Sequence, residues 1–114
     1  MTVNVDQVLE AVTAAGKQVF ADNWGTISTY AETEFKKMSQ QMVDIAANVA
    51  KHEVDASQGY TAEVGKMLMD MQRLSTVNVL IAMSAMTLVA AQQALNAMLE
   101  IVKNTLGGVI GAIL

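Results

Sequence analysis

A chain of 114 residues that is 53% hydrophobic and only 16% charged has room for one domain and one modest core. The lack of cysteine excludes disulfides, thiolate metal sites and a cysteine nucleophile. A net charge of −4 with seven basic residues leaves no clustered basic face for counterion release, so no nucleic-acid partner is expected.

Proline is absent and aromatics make up 4%, so the apolar surface consists of Ala, Val, Leu, Ile and nine Met. Nothing then removes an i→i−4 hydrogen bond, and these side chains suit helix–helix packing. The expected fold is all-α, more than about two-thirds helical against a base rate of roughly one-third. It would hold two or three long helices, as a helical hairpin or three-helix bundle, packed into a larger helical assembly.

In chain order, Val5, Val8, Leu9, Val12, Ala15 and Val19 recur three and four apart, predicting a helix over 5–21. Asn4 is placed to cap it, with Asp6 in the first turn. Asp22-Asn23-Trp24-Gly25 reads as a break, with Gly25 free to take positive φ. Trp24 is either an anchor for a membrane or partner, or a cap on the hairpin that follows.

An amphipathic helix is expected over 28–56, where Thr29 and Glu32 have capping-box spacing. Its seam is Ala31, Phe35, Met38, Met42, Ile45 and Val49, while Lys36, Lys37, Asp44 and Lys51 fall largely elsewhere. Ser57-Gln58-Gly59-Tyr60-Thr61 reads as a turn with Thr61 capping the next helix. A single helix bent at Gly59 is the competing reading. An apolar helix over 61–106 should stop at Gly107-Gly108, leaving residues 107–114 as an apolar tail.

The sharpest feature is charge. From Leu74 through Leu99 there are 26 consecutive residues without Asp, Glu, Lys or Arg. An ordinary surface helix of that length carries several, so this segment must be buried somewhere.

Chemistry finds little foothold. A four-helix di-iron site pairs inward Glu residues with Glu-x-x-His motifs. The one histidine, His52, has Val49 three positions before it. Nothing fixes a hydroxyl beside His52 for nucleophilic catalysis. Gly107, Gly108 and Gly111 lack the Lys-Ser or Lys-Thr of a phosphate loop. No catalytic, cofactor-binding or metal-ligating residue is therefore expected, and the chain reads as a structural protein rather than an enzyme. Met67, Met69, Met71, Met83, Met86 and Met98 read first as core filler, though their density on one helix also suits an adaptable interface.

The uncharged segment admits two readings. As a lipid span it is long enough for a bilayer core, and the chain would be a small membrane-inserting protein of pore-former or holin type. Against that stand Ser75, Thr76, Asn78, Ser84, Thr87, Gln92, Gln93 and Asn96, which are costly in lipid unless paired. As an assembly helix, Ser75, Asn78, Ala82, Ala85, Gln92 and Asn96 form a strip of small and amide residues that permits close approach between copies. These six are the candidate interface of a self-assembling homo-oligomer.

The stretch Asp70-Met71-Gln72-Arg73-Leu74-Ser75, continuing ungapped at Leu88-Val89-Ala90-Ala91, Gln93 and Met98, resembles the flagellar rod-junction (hook-basal body) family. More loosely it resembles the inner-rod and needle subunits of type III secretion systems. Ala85-Met86-Thr87 stands where that family has a basic-Asn-basic group, and Gln92 where it has Tyr. The resemblance spans residues 70–98 and implies a helical subunit that polymerises through its C-terminal helix and carries no catalytic residue. It also implies protein export without a cleaved signal, in keeping with Met1–Asp6, which show no basic region before an apolar run. The expected setting is a secretion rod, a virion component or a related complex, with a membrane or other assembly subunits as further partners.

Overall fold

The computed structural model describes residues 4–84 and 86–114 and shows an all-α protein. Its helices are α1 (Val5–Phe20), α2 (Trp24–Val54), α3 (Ala62–Ser84), α4 (Leu88–Leu106) and α5 (Gly108–Ile113), with a 3-10 turn over Ala21–Asn23. No strand occurs among the described residues.

The first helix begins where the sequence places it. Asn4 Oδ1 accepts from the Gln7 N–H at 2.8 Å, and Gln7 Oε1 accepts from the Asn4 N–H at 3.3 Å. This reciprocal capping box satisfies two N–H groups that the helix itself cannot. The chain then reverses, but not as expected. Ala21, not Gly25, takes positive φ (44°), and Gly25 lies inside α2. Helix α2 therefore starts at Trp24 rather than near Ser28, and Thr29 is a mid-helix residue instead of a cap. Three aromatic rings hold the reversal: Phe35 lies 6.5 Å from Phe20 and stacks on Trp24 at 6.0 Å, centroid to centroid. Trp24 thus caps the α1–α2 hairpin from a half-buried position.

At 31 residues α2 is about 46 Å long, matching the 45 Å long axis of the molecule. The expected seam is its buried face: Ala31, Phe35, Met38, Met42, Ile45 and Val49 are all 2% exposed or less.

The turn around residues 55–61 is a true break. Gly59 has φ of 59°, and a Cβ there would strike the carbonyl of Asn48. The Tyr60 N–H donates to that same carbonyl at 3.4 Å. Asp55 accepts from the Ser57 hydroxyl at 2.7 Å and its N–H at 3.0 Å, bonds that hold the Asp55 carboxyl below its ordinary range. Thr61 Oγ1 accepts from the Val64 N–H at 3.3 Å and opens α3.

The expected single helix over 61–106 is two helices. α3 ends at Ser84, and Thr87, in extended backbone, accepts from the Ala90 N–H at 3.1 Å to begin α4. A threonine side chain that can serve backbone N–H groups favours a helix start over a helix interior. The uncharged run consequently folds back on itself and buries Val77, Leu80, Ala91, Leu95, Met98 and Leu99.

Helices α1 to α4 pack as an antiparallel bundle in which each contacts its chain neighbours and α4 closes against α1. α1 is only about 24 Å long and covers the α2 half that carries Phe35. At the other end its place is taken by α5. The segment expected to be a tail packs on α2, α3 and α4 with Ile110 and Ile113 at most 1% exposed. Gly65 makes room for it: a Cβ there would lie 3.0 Å from Ile45 and Val49 and 3.1 Å from Ile113.

Gly59→Ala is expected to lower unfolding free energy by about 2–4 kcal/mol, combining left-handed strain with the Asn48 clash. Urea denaturation followed by circular dichroism measures it; an unchanged midpoint would show that the turn does not need the left-handed backbone.

Candidate interaction surface

Helix α3 is built the wrong way round for a solitary bundle. Its inward face is Gly65, Met69, Gln72, Thr76, Val77 and Leu80, with a glycine, an amide and a hydroxyl among them. Its outward face is Val64, Met67, Leu68, Met71 and Leu74, continuing to Asn78. Met67 and Met71 are each 66% exposed and Leu74 is 60% exposed. Spacings of 3, 4, 3 and 4 through Val64, Met67, Met71, Leu74 and Asn78 set these side chains in one line along the helix.

The inward polar groups are satisfied by one another. Gln72 Nε2 donates to Thr76 Oγ1 at 3.3 Å, and Thr76 Oγ1 donates to Glu34 Oε1 at 3.2 Å. Glu34 and Gln72 are each 8% exposed and Thr76 is fully buried. The Met38 sulfur lies 3.9 Å from the same hydroxyl. This chain of bonds locks α3 to α2 in one rotational setting, because turning α3 would strand a carboxylate and an amide. The apolar stripe is thereby held facing out.

A second fixture acts on the other side. Arg73 is the one charged residue between Met71 and Leu99. Its Nη1 donates to Asn96 Oδ1 on α4 at 3.0 Å, and its Nη2 to the Leu114 main-chain oxygen at 3.1 Å. Asp70 stands 3.8 Å from Nε, which has no hydrogen-bond partner. One guanidinium therefore ties α3 to α4 and to the end of α5.

The six candidate interface residues do not form one strip. Ser75, Asn78 and Ala82 sit on α3, Gln92 and Asn96 on α4, and Ala85 lies outside the described residues. Asn78, Ala82, Gln92 and Asn96 are exposed and Ser75 is partly buried. Asn96 already has an intramolecular partner in Arg73. Asn78 and Ala82 extend the outward side of α3 beyond Leu74. The methionines divide: Met69 and Met98 are core, Met83 and Met86 are partly buried, but Met67 and Met71 are surface. The signal for this was present, since residues 62–78 carry two apolar phases, and the inner one is interrupted by Gln72 and Thr76.

Beside the stripe runs a shallow groove lined by Asp44, Tyr60, Leu68 and Met71 among others. Partial burial, with the Asp44 charge second, pushes the Tyr60 phenol above its ordinary value. His52 is half-buried, and its Nδ1 donates to the Gln58 carbonyl at 3.1 Å, which is a turn-stabilising role. Among the described residues no three His, Asp or Glu side chains converge to hold a metal ion. Among them, too, no helix is long and apolar enough to cross a membrane. Comparisons with protein-family models, curated proteins and solved structures find no match to this chain.

Thr76→Val removes the hydroxyl between Gln72 and Glu34 at nearly constant volume, leaving a buried carboxylate without its donor. A loss of about 1–3 kcal/mol is expected, against little loss for Thr76→Ser. Chemical denaturation of both variants decides it; equal stability of Thr76→Val and wild type would remove the lock.

Proposed function

We propose that this protein is a non-enzymatic structural subunit that assembles with copies of itself, and that the outward stripe of α3 is the surface it uses. One observation carries the reading: α3 directs Val64, Met67, Met71 and Leu74 to water while Gln72 and Thr76 point inward. Side chains of this size gain about 1.5–3 kcal/mol each from full burial, a gain the isolated bundle forgoes. Methionines suit such a face because flexible thioethers fit a partner without a rigid template.

This reading moves the surface from the uncharged run as a whole to the helix that enters it. One face of Leu74–Leu99, with Thr76, Val77, Leu80, Ala91, Leu95, Met98 and Leu99, is taken up by the protein's own core, while Leu74, Asn78 and Ala82 on α3 and Leu88 and Val89 on α4 are exposed. The resemblance of residues 70–98 to flagellar rod-junction and type III inner-rod subunits supports a place in an export-type rod or similar complex. It overlaps the stripe at Met71 and Leu74.

Size-exclusion chromatography with light scattering tests the reading without detergent. Wild type should show a mass above that of one chain, rising with concentration, and Met71→Lys should reduce it to one chain with unchanged circular dichroism. A wild type that stays a monomer across the accessible concentration range would reject self-assembly.

A further inference from the structure

Resting on that self-association, we infer that the occupant of the α3 stripe is the α3 of a second copy, running parallel and in register. Three features point to this pairing. The first is spacing: Val64, Met71 and Asn78 fall seven apart, with Met67 and Leu74 between them, which is the a/d pattern of a two-helix seam. α3 presents this seam diametrically opposite its buried residues Met69 and Thr76, so a second helix can approach without displacing the bundle.

The second feature is the amide. Asn78 is an exposed polar residue at an a position. In a parallel in-register pair it meets Asn78 of the second copy, and the two amides can bond across the seam. In an antiparallel pair a positions face d positions, so Asn78 would instead meet Met67 of the second copy or fall beyond the start of its α3, and in neither case find an amide.

The third is charge. Glu63 and Asp70 both flank the stripe on one edge, and Leu68 and Ser75 flank it on the other. Antiparallel pairing lays the acidic edge of one copy along the acidic edge of the other. Parallel pairing lays it along Leu68 and Ser75, so no like charges oppose each other across the seam. The area is sufficient as well. The stripe offers on the order of 500 Å² of apolar surface per copy, so complete coverage of both stripes buries at most roughly 1,000 Å², the low end for a specific interface.

The sequence contains no cysteine, which makes the geometry directly testable. Val64→Cys, Met71→Cys and Leu74→Cys, made singly, each give a protein with one thiol on the seam. Glu32→Cys, exposed on α2, serves as the control. Under copper-phenanthroline oxidation all three seam variants should convert almost completely to disulfide-linked dimers while the control stays monomeric. An antiparallel pair would cross-link at no more than one of the three positions, and that result overturns the inference. If wild type associates by light scattering yet none of the three cross-links above the control, the parallel seam is wrong while self-assembly stands. If wild type is monomeric, both fail. Asn78→Leu adds an independent readout: the in-register preference should weaken, seen as mixed oligomer masses in place of one. A single unchanged mass would show that the amide sets no register.

Discussion

Burial of one face of the uncharged run between Leu74 and Leu99 is the constraint around which the bundle is organised, while Leu74, Leu88 and Val89 stay exposed. A straight helix of that composition would need apolar neighbours on every side, more than a chain of 114 residues can supply. The chain meets the constraint by dividing the run between α3, which ends at Ser84, and α4, which begins at Leu88. Val77 and Leu80 come in from α3, and Ala91, Leu95, Met98 and Leu99 from α4. The short α1 closes one end over α2 and α4, and α5 closes the other beside Gly65.

Once that core is filled, α3 is left with two faces and one bundle. Its inner face packs Met69, Val77 and Leu80 and is set in rotation by hydrogen bonds through Gln72, Thr76 and Glu34. Arg73 reinforces the setting from the α4 side. Polar groups of this kind add little net stability compared with well-packed aliphatic side chains, but they admit only one orientation. The orientation they impose is the one that exposes Met67, Met71 and Leu74. Specificity inside the bundle and the exposed apolar stripe outside it are thus two results of the same residues.

Where one rule governed a segment, the sequence was readable. Asn4 and Thr61 cap helices, the α2 seam from Ala31 to Val49 is buried, and Gly107 ends α4 with φ of 59°. Legibility failed where a local rule met a tertiary demand. Thr29 and Glu32 have capping-box spacing, but stacking of Trp24 on Phe35 starts the helix five residues earlier. Ala21 adopts the positive φ expected of Gly25, placing the reversal where Phe20 can reach Phe35. The split of the third helix was hidden, since Ser84 to Thr87 contains neither glycine nor proline. Of the candidate interface, Asn78 and Ala82 lie on the outward side of α3, whereas Asn96 is engaged within the chain. The exposed stripe is masked in the sequence because Met67 and Met71 share their residue type with the core residues Met69 and Met98.

The methionines also provide the most direct test. Methyl-labelled methionine gives one NMR signal per side chain, and the chain carries both kinds: Met38, Met42, Met69 and Met98 in the core, Met67 and Met71 on the stripe. Spectra recorded over a hundredfold dilution separate surface association from any change in the fold. Self-association through α3 predicts that the Met67 and Met71 signals shift or broaden with concentration while the four core signals stay fixed. Concentration-independent signals for Met67 and Met71 would contradict it.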